Sequence, residues 1–193
     1  MKSEFFARRK FFDAYGALLN QQAAGAPPLG VRLSCPCCGF PMLGASAAYE
    51  ICRLCSWEDD GQDTPNADEA CGGPNNGYSL VEARDNFDRN LSMYPPAQDT
   101  RIGGPDTQRE RVIKGEIISA FERMMDDPSP EELTALWLSV YENEQALYQE
   151  LSEESVVLFL RPRHVPIAVQ PYERAPPNSV ESAYGTGTIR GML

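Results

Sequence analysis

Four cysteines set in two pairs are the residues of this sequence best placed to do chemistry. Cys35 and Cys38 flank Pro36 and Cys37, while Cys52 and Cys55 flank Arg53 and Leu54, with thirteen residues between the pairs. Two such C-x2-C turns bring four thiolates to the corners of a tetrahedron about 2.3 Å from a Zn2+ ion. Pro36 stiffens the first turn. Gly39 permits the backbone conformation that aims amide N–H groups at the sulfurs. Four thiolates leave no open coordination position, so the expected cofactor is a structural Zn2+ that holds the fold. Cys37 replaces Cys38 as a ligand only in a tighter C-x-C loop, and is read as a spare thiol beside the metal. Cys71 is unassigned, and both are expected to be small buried apolar residues. A redox role for Cys52 and Cys55 needs a thioredoxin-like βαβ setting, which the sequence does not show.

Other chemistry is poorly supplied. There is one histidine, His164, flanked by Arg163 and Val165. The sequence has no glycine-rich phosphate loop, no G-x-S-x-G and no H-E-x-x-H. No carboxylate pair stands out among the acidic residues. The expectation is a protein without catalytic activity.

Charge narrows the partners. The chain has 17 basic and 28 acidic residues, a net charge of −11. Residues 31–90 hold four basic residues (Arg32, Arg53, Arg84, Arg89) against ten acidic ones, and four thiolates on Zn2+ add about two more negative charges. Nucleic-acid binding draws on cations placed against phosphates, so no nucleic-acid partner is expected. The one basic cluster, Arg8-Arg9-Lys10, reads as the solvated face of an amphipathic helix. An acidic surface suits a basic protein. Trp57-Glu58-Asp59-Asp60, directly after the second cysteine pair, is the candidate partner-binding edge, with Trp57 as anchor. Trp57 equally fits a place packed over the metal while the acids cap the next turn. The longest apolar runs are too short to span a bilayer, and the N-terminus lacks an apolar segment of the signal-peptide kind. A cytoplasmic protein with no membrane contact is expected, where six cysteines are thiols or metal ligands.

These groups need elements to position them. Ser3 to about Gln22 reads as a helix with Ser3 as N-cap and Phe5, Phe12, Tyr15 and Leu19 on one face. Residues 23–30 form a Pro-rich linker. The cysteine segment holds strand candidates around Val31–Leu33 and Ala48–Cys52. Ser79 and Glu82 form a capping box for a helix with Leu80, Ala83, Phe87 and Leu91 on one face. Thr107 to about Asp126 is a helix with an apolar stripe of Val112, Ile113, Ile117, Phe121 and Met124. Ser129-Pro130-Glu131-Glu132 starts another, carrying Leu133, Leu136, Trp137, Val140 and Leu147. Val156–Leu160 and Val165–Val169 read as a strand pair, and the last twenty residues as a flexible tail. No internal repeat is visible. The expected divisions are 1–30 (helix and linker), 31–91 (cysteine module and its helix), 92–173 (helices and strand pair) and 174–193 (tail).

Ser34 to about Asn90 resembles the cysteine-rich CPCC family of small bacterial proteins. The resemblance rests on Cys35-Pro36-Cys37-Cys38-Gly39-Phe40, on Tyr49 to Gly61 (YEICRLCSWEDDG), and on Gly72-Gly73-Pro74-Asn75 leading to Ser79-Leu80-Val81-Glu82-Ala83-Arg84-Asp85-Asn86-Phe87. It implies a zinc-ribbon-like module, and proteins similar to it occur among the immunity proteins of bacterial toxin systems. The expected fold is therefore α+β: a small four-cysteine zinc-ribbon-like module packed on a mainly helical remainder with a short C-terminal strand pair. The expected function is an immunity protein that binds a cognate, basic toxin, such as a nuclease effector. The alternative is a zinc-ribbon adaptor or nucleic-acid-binding regulator.

Overall fold

The computed structural model describes the backbone of residues 2–22 and 32–154 and the side chains of residues 4–16 and 32–150. Helix α1 (Lys2–Gln22) precedes the cysteine segment, which leads to α2 (Leu80–Asn90), α3 (Gln108–Met124) and α4 (Pro130–Glu154). The starts of the last three follow from side-chain chemistry. Ser79 N–H donates to Glu82 Oε2 at 2.9 Å and Glu82 N–H to Ser79 Oγ at 3.2 Å, closing the capping box of α2. Thr107 and Glu110 repeat the arrangement at α3, and Ser129 and Glu132 at α4. Each cap stabilises its helix by about 1 kcal/mol. Ser3 is not a cap: α1 begins at Lys2, so Ser3 lies inside the helix.

The α+β expectation is overturned. Among the described residues there is no β-strand; the two strand candidates of the cysteine segment contribute one isolated bridge each, Leu33 to Leu43 and Ile51 to Glu58. A strand needs a run of extended residues with alternating faces. Here each arm enters a tight cysteine turn within two residues of its bridge. Ala47 and Tyr49, moreover, have φ of 52° and 57°, in the left-handed region that strands do not use. The segments Val156–Leu160 and Val165–Val169 and the tail at 174–193 lie outside the described residues.

One aromatic core joins the helices to the cysteine segment. Phe121 of α3 lies with ring centroids 5.3 Å from Phe12 of α1, 5.3 Å from Phe40 of the first cysteine turn and 5.8 Å from Trp137 of α4. Phe87 of α2 meets Phe40 edge-on at 6.4 Å. Full burial of each such side chain stabilises the fold by about 1.5–3 kcal/mol. Trp137 stacks on Tyr15, and its indole N–H donates to the Tyr15 hydroxyl at 3.0 Å. The α3 stripe is buried at Ile113, Ile117, Phe121 and Met124, but Val112 is 50% exposed.

Arg8-Arg9-Lys10 is not a solvated face. The Arg8 guanidinium lies 4.3 Å from the centre of the Phe40 ring, and Arg9 grips Asp63 with two hydrogen bonds of 2.6 and 2.7 Å. Arg84 of α2 in turn lies 4.1 Å from the Phe5 ring. Only Lys10 of the three basic residues is exposed. Cation–π contacts and one bidentate pair thus help dock α1 on the cysteine segment. Asp63 is too remote in sequence for a charge pattern to reveal this pairing. No helix among the described residues is long and apolar enough to cross a membrane.

Candidate metal centre

Each cysteine pair sits in a turn built by the same two hydrogen bonds. In the first, Cys35 N–H donates to Phe40 C=O at 2.9 Å and Gly39 N–H to Cys35 C=O at 2.8 Å. In the second, Cys52 N–H donates to Trp57 C=O at 2.8 Å and Ser56 N–H to Cys52 C=O at 2.7 Å. The fifth residue of each turn is left-handed, with φ of 75° at Gly39 and 68° at Ser56. The two C-x2-C turns thus share one hydrogen-bond pattern and one left-handed position.

The turns face each other and bring the expected sulfurs together. Sγ atoms of Cys35, Cys38, Cys52 and Cys55 all lie within 4.8 Å of one another and are buried. Cys35 to Cys55 is 3.6 Å and Cys38 to Cys52 is 3.8 Å. A tetrahedron with arms of about 2.3 Å has edges of about 3.8 Å, so the spacing suits a Zn2+ ion. It is far longer than the roughly 2.05 Å of a disulfide.

The electrostatics also ask for a cation. Burial pushes the thiols of Cys35, Cys38 and Cys55 well above their ordinary range. Burial alone would raise Cys52 too, but hydrogen bonds from Cys35, Cys38 and Cys55 hold it well below that range. A dry site penalises each further negative charge, so four thiolates held this close call for a cation among them. A divalent metal that prefers sulfur would supply it. Thiolate donors in a closed tetrahedral set select Zn2+ over the harder Mg2+ and Ca2+. Its chemistry there would be structural, stapling residues 35–38 to residues 52–55.

The remaining expected site residues fall in different places. Cys37 is buried beside the cluster, as expected of a small apolar residue, whereas Cys71 is exposed. The reason is that Cys71 belongs to a surface loop, with Asp68, Glu69, Ala70, Gly73 and Pro74 also exposed. Trp57 is fully buried in the same core as the cysteines, and its indole N–H has no hydrogen-bond partner among the described residues. Asp59 is buried as well and accepts from Ala47 N–H at 2.8 Å and Gly61 N–H at 3.3 Å. Asp60 accepts from Gln62 N–H at 3.0 Å and from the Asn75 side chain at 3.2 Å. Glu58 and Asp60 are half-buried. Of Trp57-Glu58-Asp59-Asp60, then, Trp57 and Asp59 face inward, and both aspartates brace the loop that follows the second turn.

A polar network behind the second turn was not anticipated. Arg101 donates to Ser56 Oγ at 3.1 Å and to Asp106 Oδ1 at 2.7 Å, and Lys114 donates to Asp106 Oδ2 at 2.6 Å. Lys114 is 1% exposed. One signal for it was available: Lys114 sits seven residues before Phe121, inside the apolar stripe of α3, where a solvated lysine has no place. Met93 N–H completes the backing with a 2.6 Å bond to Cys55 C=O, and Arg53 stacks 4.7 Å from the Tyr148 ring of α4.

Comparison with curated proteins and with solved structures returns no match. A family model does match residues 33–95, the stretch that opens at the Leu33 bridge, contains both cysteine turns and α2, and closes just after Met93 returns to Cys55. Over those residues, about a third of the chain, it matches the family described as Cysteine-rich CPCC.

Proposed function

We propose that this protein is a zinc-stapled scaffold that works by binding another protein, as an immunity protein that neutralises a secreted, basic bacterial toxin. The observation that carries this reading is the fate of the cations at 31–90. Arg32 forms a two-bond pair with Glu144 at 2.6 and 2.8 Å, and Arg53 is stacked on Tyr148. Arg84 donates to Pro36 C=O at 3.0 Å, and Arg89 faces Asp85 at 4.0 Å. Arg32 and Arg84 are thus tied up within the fold, while Arg53 and Arg89 are exposed but each faces a partner; against those two exposed cations stand five exposed acids, Glu50, Asp68, Glu69, Glu82 and Asp88. A surface of that sign attracts a basic protein and repels phosphate. The closed thiolate site supports a structural part for zinc. The resemblance to immunity proteins supports the toxin as partner, with a nuclease the natural basic candidate.

The test is a titration of the zinc-loaded protein against a secreted toxin of the same host, and against duplex DNA and RNA. We expect nanomolar or tighter binding to the toxin, protection of cells that express both, and association slowed by salt. Sequence-selective nucleic-acid binding at physiological salt would overturn the reading in favour of a zinc-ribbon regulator.

A further inference from the structure

Between the two cysteine turns the chain forms a short ribbon, residues 49–51 against 58–59, with one edge closed and the other open. Tyr49 N–H donates to Asp59 C=O and Asp59 N–H to Glu50 C=O, at 2.9 and 3.0 Å. Ile51 and Glu58 face each other across the bridge with their own backbone groups turned outward. On the Glu58 side the Asn75 side chain imitates a neighbouring strand: its Oδ1 accepts from Glu58 N–H at 3.0 Å and its Nδ2 donates to Glu58 C=O at 2.9 Å. On the other side, neither backbone group of Ile51 has a partner among the described residues. The large apolar side chains beside it are exposed, Tyr49 by 63% and Ile51 by 57%.

The open edge is held rigidly. Cys38 and Cys52 tie the ends of the intervening segment to the metal cluster. Ala47 and Tyr49 are left-handed without being glycine, at about 1–2 kcal/mol each. Asp59 pins Ala47 N–H, while Glu50 Oε2 accepts from Gly44 and Ala45 N–H at 2.7 and 3.2 Å. Strain of this kind persists where the surroundings over-determine it, and it tends to mark functional surfaces. Two carboxylates stand beside Ile51: Glu50 precedes it in the chain and Glu58 lies opposite it in the bridge, while the Asp60 carboxylate is turned to Asn75 on the closed side and the Arg53 guanidinium is drawn over Tyr148.

We propose that the Ile51 edge is where the basic partner protein docks. An extended, lysine- or arginine-bearing segment pairs with the backbone of Ile51 and packs apolar side chains on Tyr49 and Ile51. This rests on the protein-binding reading above and moves the anchor from buried Trp57 to Tyr49 and Ile51.

The experiment puts a photo-cross-linking benzoylphenylalanine at position 51 of the full chain in its host, with the same probe at Val112 of α3 as control. The linked peptide is then mapped, and the identified partner is purified for titration. The expected product at position 51 is a basic protein linked through a lysine- or arginine-bearing segment. Ile51→Lys should weaken that partner at least about tenfold, the effect of losing an interface anchor, with Val112→Lys unchanged. Because the Ile51 side chain is exposed, metal content and melting temperature of Ile51→Lys should match the wild type, separating lost docking from lost folding. A partner that co-purifies yet links only at position 112, links between two copies of this chain, or an unchanged affinity of Ile51→Lys would overturn the docking surface while leaving the protein-binding reading standing. The absence of any partner protein for the wild type would instead overturn that reading and the surface with it.

Discussion

In the turn from Cys35 to Phe40 the fifth residue is glycine; in the turn from Cys52 to Trp57 it is serine, in nearly the same left-handed conformation. The hydrogen bonds are the same, so the difference lies in what stands behind each turn. A Cβ on Gly39 would lie 3.2–3.3 Å from Phe5 and from the Arg8 guanidinium, in the aromatic packing under α1. Behind Ser56 there is instead a cation: Arg101 donates to the hydroxyl at 3.1 Å. Both turns place a left-handed residue at this position, but the surroundings decide whether a side chain can be there. The first turn is held by apolar contact, and the second by a charged network that extends to Asp106 and Lys114.

The largest effects should ignore that difference. Cys35→Ser in the first turn and Cys55→Ser in the second each leave three thiolates around a position built for four. Structural zinc contributes about 10–16 kcal/mol in small zinc peptides, comparable to the whole stability of a domain at about 5–15 kcal/mol. Both variants should therefore lose tight metal binding and cooperative unfolding. Metal analysis of the wild type should find about one zinc per chain, and a strong chelator should lower its melting temperature to that of the serine variants. A wild type that melts identically with and without chelator would show that the cluster is not a metal staple.

This much was legible in the sequence because ligand spacing is local. So were the starts of α2, α3 and α4, where a serine or threonine and a glutamate three residues later act over one turn of chain. What escaped notice depends on distance. Arg9 with Asp63, and Arg101 with Ser56, are partners that no periodicity connects, and a basic triplet looks alike whether water or a phenyl ring lies over it. The strand candidates failed for a related reason. Val31–Leu33 and Ala48–Cys52 have the composition of strands, but the turns they feed into leave each only one bridged pair. Trp57 shows the same limit, since an aromatic beside three acids reads equally well as a surface anchor or as core.

The next largest effect should separate the turns. Asp106→Ala removes the carboxylate between Lys114 and Arg101 and leaves Lys114, 1% exposed, without its ion-pair partner. Breaking a buried pair in this way costs about 3–5 kcal/mol. Hydrogen exchange should quicken at the Ser56 amide well before the Gly39 amide, because the network backs only the second turn. The double variant Asp106→Ala with Lys114→Met should recover part of the loss. Equal acceleration at both amides would mean that the turns are coupled too tightly to be contrasted.

Gly39→Ala attacks the other turn. A left-handed alanine costs about 1–2 kcal/mol, and the tight approach to Phe5 and Arg8 adds a similar amount of crowding, for a total of about 2–4 kcal/mol. The denaturant midpoint should fall accordingly with the slope unchanged. Because α1 stacks directly on this turn, protection of the α1 amides should fall with it. A loss below about 1 kcal/mol would mean that α1 gives way easily, and that the first turn tolerates a side chain as the second does.

The smallest effect is the reciprocal change. Ser56→Gly relieves about 1 kcal/mol or more of left-handed strain, but it loses the hydroxyl that accepts from Arg101, worth about 1 kcal/mol. Glycine also adds about 0.5–1 kcal/mol of unfolded-chain entropy. The net change should lie within about 1 kcal/mol of zero. Ser56→Ala keeps the strain and loses the bond, so it should be the less stable of the two by about 0.5–1 kcal/mol, a gap that paired denaturant melts resolve. If alanine instead matches or exceeds glycine, the left-handed strain at Ser56 is not a real cost, and the contrast with Gly39 comes down to crowding by Phe5 and Arg8 alone. If glycine stabilises by more than about 1 kcal/mol, the Arg101 bond contributes little, and the serine is a burden that the second turn carries without return.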